Sequence, residues 1–323
     1  MVAASRLPAQ RLHQGFQRAF SDYLAGPPHL PLADWPAMSR RHGHDLARSR
    51  VRVALDALQA AGARADGDGP LDLEVLAFAL VSPRPALGRW RLAAMGVVPE
   101  AQGQGLAAAL LDDFLARAQA EGMQAAELEV FERNEPAVRL YASRGFERRH
   151  ALNGWRMDAD GAARLAAGAL PADATDATDA TDATDAITLP VAAATPVPVD
   201  EALAWIDAAS GGGLDFPLQV TGASLRLSPR PLQAWACGPA RLVASHLSGE
   251  PNALLLSLLD LSPGQQATEA LVQAAARQWP GLGLDLPPLQ RPDRGGQALE
   301  RLGFAPWDLH QQWMVAPLGP RGR

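Results

Sequence analysis

At 323 residues the chain is long enough for two domains of ordinary size, and 48% hydrophobic with 20% charged residues is the balance of a globular protein. All 29 residues counted as Lys+Arg are arginine, which excludes chemistry that needs a lysine, whether on a phosphate loop or in a Schiff base. The net charge of −6 leaves residues 1–160 balanced at 19 Arg against 19 Asp and Glu, so no basic stripe forms and nucleic acid is not an expected partner.

No apolar run approaches the length of a membrane span, and the first twenty residues lack a signal-peptide core. Arg6, Arg11 and Arg18 ahead of the first acid, Asp22, faintly suggest a transit segment, and the cytoplasm is the default expectation. Cys237, the only cysteine, rules out an internal disulfide and is expected to be packing, with no His-Asp arrangement around it.

Leu7 to Tyr23 is expected as a first helix, with Leu12, Phe16, Ala19 and Phe20 at helical spacing and Gly26-Pro27-Pro28 closing it. A shorter helix follows over Leu32 to Arg41. His42-Gly43-His44 then falls in a loop; such a pair could ligate metal, but no third and fourth ligand stand nearby, so a surface or substrate-facing loop is expected. Val51 to Ala54 reads as a short strand and Leu71 to Val81 as a longer one, across the Gly-, Ala- and Asp-rich residues 61–70.

Trp90 to Val97 alternates with period two and stops before Pro99. From Leu106 the pattern becomes a helical stripe of Leu106, Leu110, Phe114 and Ala118, ended by Gly122. Between them, Gly103 and Gly105 strip side chains from a turn where the helix's first N–H groups would approach a ligand. The best-matched ligand of such a helix start is a phosphate group. Ala125 to Phe131 alternates as a strand. Asn134, before Glu135-Pro136, can cap a helix carrying Ala137, Leu140, Tyr141 and Arg144; Gly145 ends it, and Phe146 starts a returning strand that reaches about Met157.

From Asp158 the composition changes. Residues 174–185 are Ala-Thr-Asp four times over, without apolar periodicity, which marks 159–187 as an acidic linker between domains over 1–158 and 188–319, with 320–323 a tail. Beyond it Arg241 to Leu247 and Ala253 to Leu261 read as strands, Gln265 to Trp279 as a helix, Gly283 to Leu286 as a strand, Gly296 to Leu302 as a helix and Gln312 to Leu318 as a last strand. Arg301-Leu302-Gly303-Phe304 is similar to Arg144-Gly145-Phe146, and Trp313 follows Phe304 at the distance at which Trp155 follows Phe146. The halves therefore read as an internal duplication. The second copy is shorter: Pro99 to Gly122 spans 23 residues and Pro263 to Gly281 only 18, and Leu299 and Pro292 stand where the first half has Tyr141 and Asn134.

Gln102-Gly103-Gln104-Gly105-Leu106-Ala107 fits the Gln/Arg-x-x-Gly-x-Gly/Ala pyrophosphate loop of one family, with Val97-Val98-Pro99 at the matching distance before it. Leu128-Glu129-Val130, Asn134 and Tyr141-x-x-x-Gly145-Phe146 follow in that family's order. In these motifs the chain resembles the GCN5-related N-acetyltransferases (GNAT). The resemblance implies an α/β (α+β) fold, a mixed and mostly antiparallel sheet flanked by helices, duplicated as two such domains, with a first short strand within Val2 to Leu7.

It also implies an N-acetyltransferase that takes acetyl-CoA as co-substrate, uses no metal, and transfers acetyl to a primary amine of a small molecule or peptide by direct attack. The pyrophosphate is then assigned to Gln102, Gly103, Gln104, Gly105, Leu106 and Ala107, and the pantetheine arm to the backbone of Met95, Gly96 and Val97. A backbone N–H near Val97 is the expected oxyanion donor. Tyr141 stands where the family carries its general acid, and Glu129 where ribosomal-protein alanine acetyltransferases carry a base, although a water chain would serve instead. Asn134 is expected to bond the pantetheine as well as cap its helix. The second half, lacking these residues, is expected as a built-in partner that leaves the chain a monomeric pseudo-dimer. A non-catalytic acyl-CoA sensor or interaction module and acyl transfer to another acceptor stay open; Tyr141, Glu129 and Asn134 together favour the enzyme, because a sensor needs only the loop.

Overall fold

The computed structural model describes residues 1–60, 62, 69–169 and 193–319; the Ala-Thr-Asp repeats, most of residues 61–70 and the tail lie outside the described residues. The first described elements are strand β1 (Val2–Ala3), helices α1 (Ala9–Ala19) and α2 (Trp35–Arg41), strand β2 (Arg50–Arg52) and helix α3 (Leu55–Ala60). Strands β3 (Ala77–Arg84) and β4 (Arg89–Val97), helix α4 (Leu106–Ala120), strand β5 (Ala125–Phe131), helix α5 (Glu135–Ala142), strand β6 (Glu147–Met157) and helix α6 (Ala159–Ala166) follow. After the repeats come β7 (Thr195–Pro196), α7 (Val199–Gly211), α8 (Gly222–Leu225), β8 (Gln233–Cys237), β9 (Ala240–Ser245) and β10 (Asn252–Asp260). The last are α9 (Ala267–Gln278), β11 (Gly283–Gln290), α10 (Gly296–Arg301), β12 (Ala305–Pro306) and β13 (Gln311–Pro317). Among the described residues no helix is long and apolar enough to cross a membrane.

The chain forms two compact units, and they are not the two halves of the sequence. One comprises Met1–Arg149 together with the residues from Gln312 onward; the other is His150–Gln311. In the first unit the strand order is β1-β2-β3-β4-β5-β13, antiparallel from β1 to β4 and parallel between β4 and β5. In the second it is β7-β8-β9-β10-β11-β6, antiparallel from β7 to β10, parallel between β10 and β11 and antiparallel again to β6, with β12 also on β6. The duplication is thus visible strand for strand, in a mixed, mostly antiparallel sheet flanked by helices. The sixth strand is exchanged: most of β6, which ends the first repeat, serves the second unit, and β13, which ends the second repeat, serves the first.

Alternation explains the packing of the first unit. Ala126, Leu128 and Val130 of β5 face α4, whose Leu110, Leu111, Phe114 and Ala118 are fully buried against them with Trp90 and Leu92 of β4. Each of those large side chains contributes about 1.5–3 kcal/mol by leaving water. Phe78 and Leu80 point to the other face of the sheet, where they form a second core with Leu12, Trp35, Val51, Leu58, Leu71 and Val75.

Other differences from the sequence reading have local causes. The segment expected to begin the linker is helical, because Asp158 caps α6 by accepting from the Gly161 N–H at 2.7 Å and Ala162 and Leu165 are buried in the second unit's core. Leu71 to Leu76 precedes β3 as irregular chain with Leu71 and Val75 buried, so the apolar run there serves the core and not the ladder. Strand β11 continues through Pro287-Pro288 to Gln290, where its register with β6 shifts.

Candidate functional site

The glycine turn and the start of α4 come first. Gly103 and Gly105 both have φ +73, and a Cβ at either would meet nothing within 4 Å. Their backbone conformation, rather than crowding, is therefore what calls for glycine. Gln102, Gly103, Gln104 and Gly105 are exposed, Leu106 and Ala107 half-buried, and no side chain caps α4, so its first-turn N–H groups face outward. Gln102 bends its amide back to the Val97 carbonyl at 3.4 Å and Gln104 its own to the Glu100 carbonyl at 3.5 Å.

Beside this turn the sheet forks. Strands β4 and β5 pair only at Arg89–Ala125, Trp90–Ala126 and Arg91–Glu127, yet β4 runs on to Val97 and β5 to Phe131. Met95, Gly96 and Val97 pair with Ala79, Phe78 and Ala77 of β3 on one side, and their edge toward β5 carries no ladder bonds among the described residues. The register with β3 shifts at the step from Ala94 to Leu92, a bulge that twists β4 where the fork opens. Gly96 also has a packing reason for its identity: a Cβ there would sit 2.8 Å from that of Ala19 and 2.9 Å from the Phe78 ring.

Asn134 caps α5 as expected, its Oδ1 accepting from the Ala137 N–H at 3.4 Å. At the penultimate position of α5, Tyr141 is 7% exposed with its ring 5.8 Å from that of Phe146. Burial, reinforced by the Tyr23 phenol, pushes the Tyr141 hydroxyl well above the usual phenol range, so it holds its proton at any ordinary pH. Tyr23, the other tyrosine, was not among the expected site residues. It lies just beyond α1 with its ring 5.6 Å from Phe131 at the end of β5, and burial pushes it up to about 12. Nothing in its local sequence marks it; the fold alone brings it to the open end of the fork.

Glu129 is held by a partner that strand patterning does not reveal. Arg91 donates from Nε to both Glu129 oxygens, at 3.0 and 2.7 Å, and from Nη2 to Oε2, with the two side chains 2% and 3% exposed. In the ladder Arg91 stands opposite Glu127, so the pair reaches one step further along β5, across the point where the strands part. Glu127, also unanticipated, is fully buried and accepts from Arg84 at 2.6 Å and Arg89 at 3.1 Å. Alternation puts Ser82, Arg84, Arg89, Arg91, Glu127 and Glu129 on one face of the sheet, opposite the apolar face under α4.

The His42–His44 loop lies on this polar face. The Ser82 hydroxyl donates to the His42 carbonyl at 2.6 Å, the Asp45 N–H donates to the Val81 carbonyl at 2.8 Å, and Ser82 is the β3 residue opposite Arg91. The two imidazoles are 5.8 Å apart, and among the described residues no group of three or more His, Cys, Asp or Glu side chains could hold a metal. Burial, then Arg91 and Arg41, push His42 down to about 4; burial, then His42 and Arg91, push His44 down to about 3. Both rings are neutral at neutral pH.

The matching places in the second unit are closed by the chain itself. Asp260 accepts the Thr268 N–H at 2.8 Å and its hydroxyl at 2.9 Å, and Ser262 Oγ accepts the Ala267 N–H at 3.2 Å, so the start of α9 is satisfied internally. Gln265 Oε1 accepts the N–H groups of Gly295 and Ala298 at 3.0 and 3.1 Å and so caps α10. Cys237 is buried, and burial pushes its thiol up, away from the reactive thiolate.

Residues 31–146 match the model of the acetyltransferase (GNAT) family. No curated protein matches the chain. Among solved structures, a tandem GNAT protein from the clavulanic acid biosynthesis pathway is similar over 97% of this chain and 96% of its own, at TM-score 0.53 and 16% identity. A GCN5-related N-acetyltransferase from Sphaerobacter thermophilus is similar over 99% of this chain and 95% of its own, at TM-score 0.55 and 14% identity. Another from Kribbella flavida is similar over 96% and 70%, at TM-score 0.54 and 15% identity. Such identities speak to fold alone, and the fold they share covers both units. Residues 31–146 thus match the acetyltransferase (GNAT) family model, and over its full length the chain has the fold of GNAT proteins, one of them a tandem GNAT protein.

Proposed function

We propose that the first unit is an acetyl-CoA-dependent N-acetyltransferase acting on a primary amine of a small molecule or peptide, and that it is the one working unit of the chain. The observation that carries this reading is the uncapped start of α4 beside the unpaired edge of β4, a set of outward N–H groups next to a strand edge that a pantetheine amide can extend. In the second unit the N–H groups of Thr268 and Ala267 at the equivalent helix start are taken by Asp260 and Ser262, and the Asp260 carboxylate stands there in place of a phosphate.

In this reading the N–H groups of residues 102–107 hold the pyrophosphate, and Met95 to Val97 hold the arm, with a backbone N–H near Val97 bonding the thioester oxygen. The amine nitrogen forms a bond to the acetyl carbon as the carbon–sulfur bond breaks. Tyr141 gives its proton to the departing sulfur and regains one from solvent. The ammonium's surplus proton leaves through water toward Glu129, which Arg91 keeps in place. Neutral His42 and His44 add no positive charge that would repel the ammonium.

The test is calorimetric titration of the full chain with acetyl-CoA, followed by thiol release in the presence of a panel of primary amines. One site per chain and amine-dependent release are expected. Binding without release for every amine would favour a sensor, and absence of binding would end the reading.

A further inference from the structure

The polar face of the fork holds groups that the transfer chemistry does not use. Arg91 spends Nε and Nη2 on Glu129, while its Nη1 is buried and has no partner among the described residues. His44 is in the same position, with both ring nitrogens buried and unpartnered. A buried guanidinium nitrogen without an acceptor carries its full desolvation cost, so a fold that keeps one has a use for it or a water on it. The Arg91 side chain is 2% exposed, and the bonds from the Ser82 hydroxyl to the His42 carbonyl and from the Asp45 N–H to the Val81 carbonyl hold the histidine loop against β3, whose Ser82 pairs with Arg91 on the neighbouring strand.

The donors define the chemistry. Nη1 brings two N–H groups on a permanent cation and the neutral His44 ring one more, a set that suits a carboxylate oxygen better than any neutral group. Glu129 stands on the other side of the same guanidinium and suits an ammonium. An amine and a carboxylate a few bonds apart in one molecule would therefore satisfy both ends of the Arg91–Glu129 pair at the fork.

We infer that Arg91 Nη1 and His44 form a carboxylate subsite, and that the acceptor is an amine bearing its own carboxylate, of the amino-acid type. The inference rests on the acetyltransferase reading and narrows it to a substrate class. Arg91 is then a specificity residue as well as the support of Glu129, and His44 a residue that contacts the substrate.

Free amino acids and their carboxamides, pairs that differ only in the charge and shape of one group, test this with the full-length chain. The acid should exceed the amide by at least tenfold in kcat/KM, and His44→Phe, which leaves the Arg91–Glu129 pair intact, should bring that ratio to within threefold. A second measurement needs no turnover: acids titrated into the protein without acetyl-CoA should give saturable shifts of the His44 ring resonances and raise its pKa, and the amides should not. Equal rates for acid and amide in the wild type, or no saturable shift with acids, would overturn the subsite while leaving the acetyltransferase reading standing. Saturable shifts with no acyl transfer to any amine would do the reverse.

Discussion

Gly105→Glu isolates the phosphate site from the fold, because α4 supplies its own control. Gly105 at its start and Gly122 just past its end have φ +73 and +76, and a Cβ at either meets nothing within 4 Å. A glutamate at either position carries the same left-handed backbone cost, about 1–2 kcal/mol, and no steric clash. The variants differ in what the new carboxylate faces. At Gly105 it would stand about 6 Å from a bound pyrophosphate, where an effective dielectric of about 20–40 gives a repulsion of ~1.4–2.8 kcal/mol per charge pair. Acetyl-CoA affinity should therefore fall by about 10- to 100-fold in Gly105→Glu relative to Gly122→Glu, while the two melt within a few degrees of each other. Calorimetric titration and a thermal scan of both variants read the difference. Affinities within threefold of each other would show that the start of α4 is not where the pyrophosphate sits.

Tyr141→Phe should lower turnover by roughly 10²- to 10⁴-fold with acetyl-CoA affinity little changed; an unaltered rate, with chemistry limiting, would return Tyr141 to the core. The buried histidines make a statement about pH. Because His42 and His44 titrate in the folded chain at about 4 and about 3, below the usual 6.5, the unfolded chain takes up protons that the folded one refuses. Stability is then fully present above pH 6.5 and is lost as pH falls toward those values, with a slope of up to ~2.7 kcal/mol per pH unit where both contribute. Denaturant unfolding of the first unit between pH 7 and 4.5 should show this slope, and the His42→Gln, His44→Gln double variant should flatten it; an equal slope in both would refute the assignment. Asp260→Ala uncaps α9 and should cost about 1–2 kcal/mol, with one acetyl-CoA still bound per chain. A second site appearing in the wild type by calorimetry would contradict the one-unit reading.

Features set by neighbours in sequence were legible in the sequence. Strand β5 has the expected bounds, Asn134 caps α5 through Ala137, and Gly103 and Gly105 fall in the expected turn before α4, where their left-handed backbone is a further reason for glycine. Features set by neighbours in space were not. Alternation puts Glu129 on the polar face of β5 but says nothing of which residue lies across from it, so its partner Arg91 required the parallel register. Tyr23 reads locally as a helix end, and only the return of β5 brings Phe131 against it. Helix α7 has a local signature of its own: Asp200 and Glu201 open it, and Ala202, Leu203, Ile206 and Ser210 make its buried stripe. The exchange of β6 and β13 has no local signature, because alternating residues specify a strand and not the sheet that receives it.

That exchange sets a timetable for synthesis. Strand β5 ends at Phe131 and its sheet neighbour β13 begins at Gln311, a gap of 180 residues. At roughly 5–20 residues per second a ribosome needs about 10–35 s to make the missing strand, and somewhat longer for it to clear the exit tunnel. During that interval the first unit has its helices and five strands, and the edge of β5 that β13 will cover presents free N–H and C=O groups to the cell. The first unit, though its strands β1 to β5 are made earlier, is thus completed only when β13 arrives, and the nascent chain depends on β13, or on a chaperone, to keep that edge from pairing with another copy.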